Sequence, residues 1–212
     1  MKLLHIDSSI SGEASASRQL TAAIVTALTE ATPGLEVIRR DLDANPLPHL
    51  DSALLTTIRP SSPADSTTPA ADRAAAVLDE FLDADIVVIG APMYNFTIPS
   101  QLKAWIDRLI IAGKTFSYSE AGVKGLAGGK KVIVASSRGG LYAPGMPFAA
   151  NDFQEPYLRA VFRFIGIEDI EIVRAEGIAF GPEHRAAAIQ AALADVASIV
   201  AAPAPERIAL TA

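Results

Sequence analysis

The sequence predicts a doubly wound α/β domain: a five-stranded parallel sheet in the order 2-1-3-4-5 with helices on both faces. Three observations carry that prediction. Short apolar runs alternate with segments of helical spacing along the 212 residues, the pattern of right-handed βαβ units. Ile86-Val87-Val88-Ile89 and the run Lys131 to Ser136 are continuously apolar or small beyond their first residue, as in strands covered on both sides. The loop after the first strand is rich in hydroxyls, and five strands with such a loop favour 2-1-3-4-5 over the six-stranded dinucleotide order. In that arrangement the loops after strands 1, 3 and 4 converge at the carboxyl edge, where open sheets bind ligands.

Taken in order, Lys2 to Ile6 is the first strand, with Leu3, Leu4 and Ile6 apolar. The loop Asp7 to Ser17 follows, with five serines and one glycine, and opens a helix over Arg18 to Ala31 whose apolar side carries Leu20, Ile24 and Leu28. Free N–H groups and the helix dipole make a helix start an anion site, and serine hydroxyls add neutral donors. One serine is accounted for as a helix cap; five in one loop favour phosphate binding. Neither GxGxxG nor GxxxxGK[ST] is present, so a standard dinucleotide fingerprint and a P-loop are both absent. After Thr32-Pro33-Gly34, Leu35 to Leu42 reads as a second strand at a sheet edge, Asp51 to Ile58 as a short helix, and Ser61 to Pro69, rich in Ser, Thr and Pro, as a mobile insertion. Ala70 to Leu82 is an alanine-rich helix leading into the third strand, Asp85 to Gly90.

That strand opens into Pro92-Met93-Tyr94-Asn95-Phe96, two rings and a thioether in one loop. A helix follows with Leu102, Trp105, Ile106, Leu109 and Ile110 on one face. Gly113 to Gly129 is a glycine-rich excursion, a small hairpin or a flap, and Lys131 to Ser136 is the fourth strand. It exits into Ser137-Arg138-Gly139-Gly140, where two glycines let backbone approach a flat ligand; an ordinary glycine turn accounts for them equally well. Gly125 to Lys130 precedes a strand instead of following one, and no Ser or Thr follows its lysine, so it is not a nucleotide loop. A long loop over Leu141 to Gln154 leads to a helix at Pro156 to Ile165 ended by Gly166. The last strand is Ile170 to Ala175, and a helix over Glu183 to Val200 closes a single domain of residues 1–202, with 203–212 a frayed tail.

Composition narrows the function. A net charge of −6 argues against nucleic acid or an anionic membrane as partner. No apolar run approaches transmembrane length and no signal-peptide pattern opens the chain, so a cytoplasmic protein is expected. Cysteine is absent, which removes disulfides, thiolate catalysis and cysteine metal sites. His5, His49 and His184 are too scattered for a metal site, and no GxSxG elbow supports a hydrolase. A receiver-type signalling domain would need an acid at the end of the third strand, where Gly90-Ala91-Pro92 stands.

Ser9 with Ser15-Ala16-Ser17, Ala91 to Phe96, and Ser137 to Gly140 resemble the three FMN-contact segments of the FMN-dependent NADH:quinone oxidoreductases and azoreductases, which have a flavodoxin-like fold. The similarity extends through PSQLKAWID, PYLRAVFRFIGI and AEGIAFGPE, and so covers nearly the whole chain. It implies Ser9, Ser15, Ala16 and Ser17 around the phosphate of one FMN per chain. It implies Met93, Tyr94, Asn95 and Phe96 along the isoalloxazine, and Ser137, Arg138, Gly139 and Gly140 on its polar edge. It further implies that NADH or NADPH is the donor, that flavin N5 carries the hydride, and that a quinone or azo compound is the acceptor; because both must react at the same face of one flavin, a ping-pong cycle is expected. No side chain need act as a nucleophile; backbone N–H groups of Asn95 or Gly139 are candidates to stabilise the reduced flavin. Phe116, Tyr142, Phe153 and Phe164 are candidates to stack on the acceptor, and the loops 60–70 and 141–154 are where substrate preference is expected to be set. Homodimers with active sites at the interface are implied as well. The alternative is a non-enzymatic flavodoxin-like FMN electron carrier, although such carriers tend to be shorter and more acidic.

Overall fold

The computed structural model describes residues 1–58, 69–120 and 122–201. Its main sheet holds β1 (Lys2–Asp7), β2 (Glu36–Asp41), β3 (Ile86–Pro92), β6 (Lys131–Ser137) and β7 (Asp169–Ala175), parallel throughout, in the order β2-β1-β3-β6-β7. Five strands are expected; the described residues hold two more, β4 (Phe116–Ser119) and β5 (Gly122–Gly125). These pair antiparallel as a separate hairpin inside the glycine-rich excursion. With the hairpin strands left out of the numbering, the sheet order is compatible with the one expected, and β2 is an edge strand.

Successive strand residues face opposite layers. Leu4, Ile6, Val87, Ile89, Val132 and Val134 pack against α3 (Pro69–Asp83), α4 (Ser100–Ile106) and α5 (Glu155–Phe164) through Phe81, Trp105, Leu158 and Phe162. Leu3, Ile86, Val88, Ile133, Ala135 and Val173 pack against α1 (Ala16–Ala31) and α6 (Pro182–Ala201) through Leu20, Ile24, Ala192 and Val196. With a helical layer on each face, β3 and β6 have no wet side, which is why their runs are continuous instead of alternating.

Most boundaries shift by a residue or two, and two of the shifts have a clear local cause. Helix α1 begins at Ala16, two residues ahead of the expected start, because the Ser15 hydroxyl accepts the Arg18 N–H at 3.2 Å and caps it there. Helix α4 stops at Ile106, although apolar spacing continues to Ile110. Beyond it the N–H groups of Arg108 and Leu109 bond three residues back, to Trp105 and Ile106 at 3.0 and 2.9 Å, and the chain turns. Leu109 is still fully buried; the spacing recorded burial, not helix. The short helix α2 (Ser52–Ile58) starts one residue after the expected Asp51, whose carboxylate instead accepts the Leu54 N–H at 2.7 Å. Nearly all of the Ser61 to Pro69 insertion and the 203–212 tail lie outside the described residues, among which no helix is long and apolar enough to cross a membrane.

Candidate functional site

The carboxyl ends of β1, β3 and β6 lie side by side, with Asp7 opposite Gly90 and Pro92 opposite Ser137. The first loop is tied down there. Ser8 Oγ donates to the Gly90 carbonyl at 2.6 Å, and the Ile10 N–H donates to the Tyr94 hydroxyl at 3.2 Å, with Ser9 Oγ 3.3 Å from the same oxygen. Ser15 Oγ and Ser17 Oγ stand 3.1 Å apart, both buried, at the head of the 16-residue helix α1. The N–H groups of Ala16 and Ser17 have no intrahelical acceptor because they open the helix. Two hydroxyls, two N–H donors and the positive end of a helix form an anion cradle. Ser15 caps the helix, and its hydroxyl stands in the same donor cluster, so the cap does not compete with the anion-binding role expected of it.

Arg18 holds this loop in place, and sequence reasoning missed it. Its Nη2 and Nε donate to the Ser9 carbonyl at 2.8 and 3.2 Å, while Nη1 and Nη2 fork onto the Asp41 carboxylate at 2.6 and 2.8 Å. The Arg18 hydrogen bonds hold the Asp41 carboxyl well below the usual range, and the same contact raises the guanidinium. Asp7, beneath the loop, is pushed up by burial, but hydrogen bonds and charge from His5, with further bonds from Arg39 and Thr21, win and lower it.

The loop after β3 is a tight turn. Tyr94 and Thr97 exchange backbone bonds at 2.9 and 3.2 Å, the Met93 N–H donates to the Ser137 carbonyl at 2.8 Å, and the Phe153 N–H donates to the Phe96 carbonyl at 3.0 Å. Asn95 and Phe96 sit at φ of 49° and 72°. Left-handed backbone is unusual for a ring-bearing residue, costs on the order of 1–3 kcal/mol, and clusters at functional sites. Here it presents the Phe96 ring, 47 % exposed, at the tip of the loop.

The loop after β6 is held by the segment that follows β7. The carbonyls of Arg138, Gly139 and Gly140 accept N–H groups from Ile178, Ala179 and Gly177 at 3.2, 3.1 and 3.0 Å, and Glu176 Oε1 takes the Tyr142 N–H at 2.8 Å. With those carbonyls engaged, the N–H groups of Gly139 and Gly140 are what the loop has left to donate. Arg138 departs from the expected polar edge: its side chain is fully buried and faces inward. It meets Asp152 at 3.1 Å, Glu176 at 3.2 Å and Glu155, and Nε donates to Ser136 Oγ and Gln154 Oε1, both at 3.0 Å. A buried guanidinium needs such partners, so only the Arg138 backbone lies with the other three residues. Gln154, which also donates to the Ala91 carbonyl at 2.6 Å, braces the ends of β3 and β6. Glu155 further takes Arg174 bidentately at 2.7 and 2.9 Å, which raises that guanidinium. Gln154, Glu155 and Glu176 were invisible to spacing arguments.

An aromatic rim completes the edge. The Phe96 and Tyr142 rings are 6.4 Å apart and Tyr142 and Phe148 5.9 Å, with Phe153 exposed beside Phe96. Tyr142 and Phe153, two of the stacking candidates, stand at this rim, and Phe148 joins them. Phe116 and Phe164 do not. Phe116 is 3 % exposed, with its ring 4.8 Å from Phe164 and 5.2 Å from Tyr118. Helix α5 starts at the carboxyl edge, where Glu155 meets Arg138, and ends toward Asp169, which pairs with Lys131 at the start of β6. The Phe116–Tyr118–Phe164 cluster thus belongs to the opposite edge. Between the first loop and the aromatic turn lies a cavity of about 560 Å³ lined by Ile10, Tyr94, Asn95, Ser100, Lys103 and Tyr157, among others, a size suited to a small-molecule ligand. Burial, with Asp107 nearby, pushes the Tyr157 hydroxyl up to about 12.

A family model described as flavodoxin-like fold matches residues 1–200. An FMN-dependent NADH:quinone oxidoreductase from Methylocella silvestris is 63 % identical over 194 residues, 91 % of this chain and 95 % of that protein. The chain belongs to this family. Among solved structures, an azoreductase from Bacillus anthracis superposes with a TM-score of 0.84 at 31 % identity, covering 94 % of this chain and 98 % of that one. An FMN-dependent NADH-azoreductase from the same organism, in complex with FMN, gives 0.81 at 26 % identity, covering 94 % and 99 %. The residues present fit the FMN that the family name implies. The Ser15–Ser17 cradle at the head of α1 suits a phosphate, the donors of Gly139 and Gly140 suit ring carbonyls, and Phe96 with Tyr142 suits a flat ring system. No cluster of three or more His, Cys, Asp or Glu side chains suits a metal ion among the described residues.

Proposed function

We infer that this chain is an FMN-dependent oxidoreductase that passes two electrons from NADH or NADPH to quinones and reductively cleaves aromatic azo compounds to amines. The observation that carries it is the convergence, at one sheet edge, of the anion cradle, the strained aromatic turn and the donor-bearing glycines, in a member of this family. When bound, FMN supplies the two-electron transfer that no side chain offers. The chain's residues do the rest. Ser9, Ser15, Ala16 and Ser17 hold the phosphate; Met93 to Phe96 support the ring; Ser137, Gly139, Gly140 and the backbone of Arg138 line its polar edge. The N–H groups of Asn95 and Gly139 are fixed donors for charge on the reduced ring. The aromatic rim of Phe96, Tyr142, Phe148 and Phe153 favours an enzyme over an electron carrier, because it frames a face for a planar substrate. NADH is an intracellular metabolite, so the enzyme is assigned to the cytoplasm.

One rim frames one face, and donor and acceptor must use it in turn. The first product leaves before the second substrate enters, which is a ping-pong order. Initial rates with NADH and a quinone varied together should give parallel double-reciprocal lines, with excess quinone competing against NADH. An azo dye, which needs four electrons and two cycles, should turn over more slowly. Intersecting lines would mean a ternary complex and a separate acceptor site. The cluster at the opposite edge supports a homodimer with active sites at the interface: Tyr118 is 73 % exposed and Phe164 partly so, and neither faces its own chain's rim.

A further inference from the structure

A second cleft opens beside the rim, between the 142–152 segment and the outer side of α5, with a volume of about 700 Å³. Tyr142 belongs to both. Its ring stands 6.4 Å from Phe96, and it lines the cleft. A ligand filling this space is one side chain away from whatever stacks on Phe96.

The cleft carries Arg159, Arg163 and Arg174 with two acids, Asp152 and Glu155. Both acids are already answered, Asp152 by Arg138 at 3.1 Å and Glu155 by Arg138 and, through a fork at 2.7 and 2.9 Å, by Arg174. Arg159 and Arg163 are what remains. Arg159 gives one N–H to the Ile170 carbonyl at 3.1 Å and forms no ion pair among the described residues. Arg163 is 57 % exposed, and its carboxylate neighbour, Glu168, stands 3.9 Å away and is 80 % exposed, a pair too wet to hold either charge. Residues 159 and 163 lie four apart on α5, so their side chains share one face on adjacent turns. Two planar guanidinium forks at that spacing match the oxygens of two linked phosphates. Pro144 and Pro156 give the same cleft apolar wall. On a chain of net charge −6 this is a local exception.

We propose that the cleft holds the adenosine diphosphate half of the reduced nicotinamide donor, with its diphosphate across Arg159 and Arg163, while the nicotinamide end reaches past Tyr142 to the face framed by Phe96. The assignment rests on the donor chemistry proposed above. It also separates the two substrates of a shared face. A quinone is short and uncharged and needs only the rim, whereas the donor is long and anionic and gains two charged contacts beyond it.

The test uses the FMN-loaded enzyme and the variants Arg159→Gln, Arg163→Gln and the double. ADP-ribose, which carries the diphosphate and no nicotinamide, is titrated calorimetrically; the wild type should bind one per chain and the double variant at least ~10-fold more weakly, by loss of charge-assisted bonds. In parallel, kcat/KM is measured for NADH and for N-benzyl-1,4-dihydronicotinamide, a donor without diphosphate. The ratio of the two should fall at least ~10-fold in the double variant, through KM for NADH, and added salt should lower that ratio in the wild type more than in the variant. Arg163 is exposed, so Arg163→Gln alone reads the same ratio if Arg159→Gln disturbs the fold. ADP-ribose binding that ignores both arginines, no binding to the wild type at millimolar concentration, or an unchanged ratio would overturn the assignment. Failure of the oxidoreductase reading is distinct, since the wild type would then oxidise neither donor.

Discussion

At the scale of single residues, Ser15 has one observed role, the helix cap, and one proposed role, the phosphate site. Its hydroxyl caps α1 through the Arg18 N–H and lies 3.1 Å from Ser17 Oγ. The two roles separate by experiment. A hydrogen bond to a charged group is worth about 1.5–3 kcal/mol, so changing Ser15 and Ser17 together to Ala should weaken FMN at least ~100-fold. Riboflavin, which lacks the phosphate, should be weakened far less. Equal losses for the two ligands, measured by fluorescence titration, would leave the serines as helix furniture only, since a lost cap costs about 0.5–2 kcal/mol whatever the ligand. Arg18 and Glu176 belong to the same scale. Neither reaches out to a ligand, yet each fixes a loop, one through the Ser9 carbonyl and the other through the Tyr142 N–H.

At the scale of elements, the strands and most helices were legible because burial writes itself into spacing. Continuous runs marked β3 and β6, and an uneven run marked the edge strand β2. The same signal overran α4, because Leu109 is buried in a turn as fully as a helical residue would be. Spacing does not separate a hairpin from a flap in this excursion, since the four-residue strands carry little periodicity of their own. What fixes it is contact with the end of α5. A Cβ on Gly125 would stand 2.2 Å from the Gly166 nitrogen and 2.3 Å from the Ile165 carbonyl carbon, both backbone atoms, and the Ala127 N–H bonds the Ile165 carbonyl at 2.8 Å. Gly125→Ala should therefore lift the hairpin at a cost of about 1–3 kcal/mol. Thermal unfolding should fall by roughly 2–4 °C for each of those kcal/mol in a chain of this size. An unchanged midpoint would mean that the hairpin is not docked as described.

At the scale of the whole molecule, the three site loops could be read from sequence because a parallel sheet delivers them to one edge without further instruction. The braces behind them could not, because they join residues far apart in the chain: Arg138 with Glu176, 38 residues on, and Gln154 with Ala91, 63 residues back. The aromatic candidates divided for the same reason. Phe116 opens a hairpin strand, Phe164 ends α5, and Tyr142 and Phe153 lie in one loop; only the fold places Tyr142 and Phe153 at the rim and Phe116 and Phe164 at the other edge. If that second cluster serves a neighbour's site, sedimentation velocity at micromolar concentration should show a species of twice 22.2 kDa, and a monomer would count against the shared site. The central claim, that the three loops together form one flavin site, is tested most directly by titrating the cofactor-free protein with FMN and following flavin fluorescence. Quenching that saturates sharply at one FMN per chain is the predicted result; fluorescence that rises as for FMN in buffer, with no break in the curve, would contradict it.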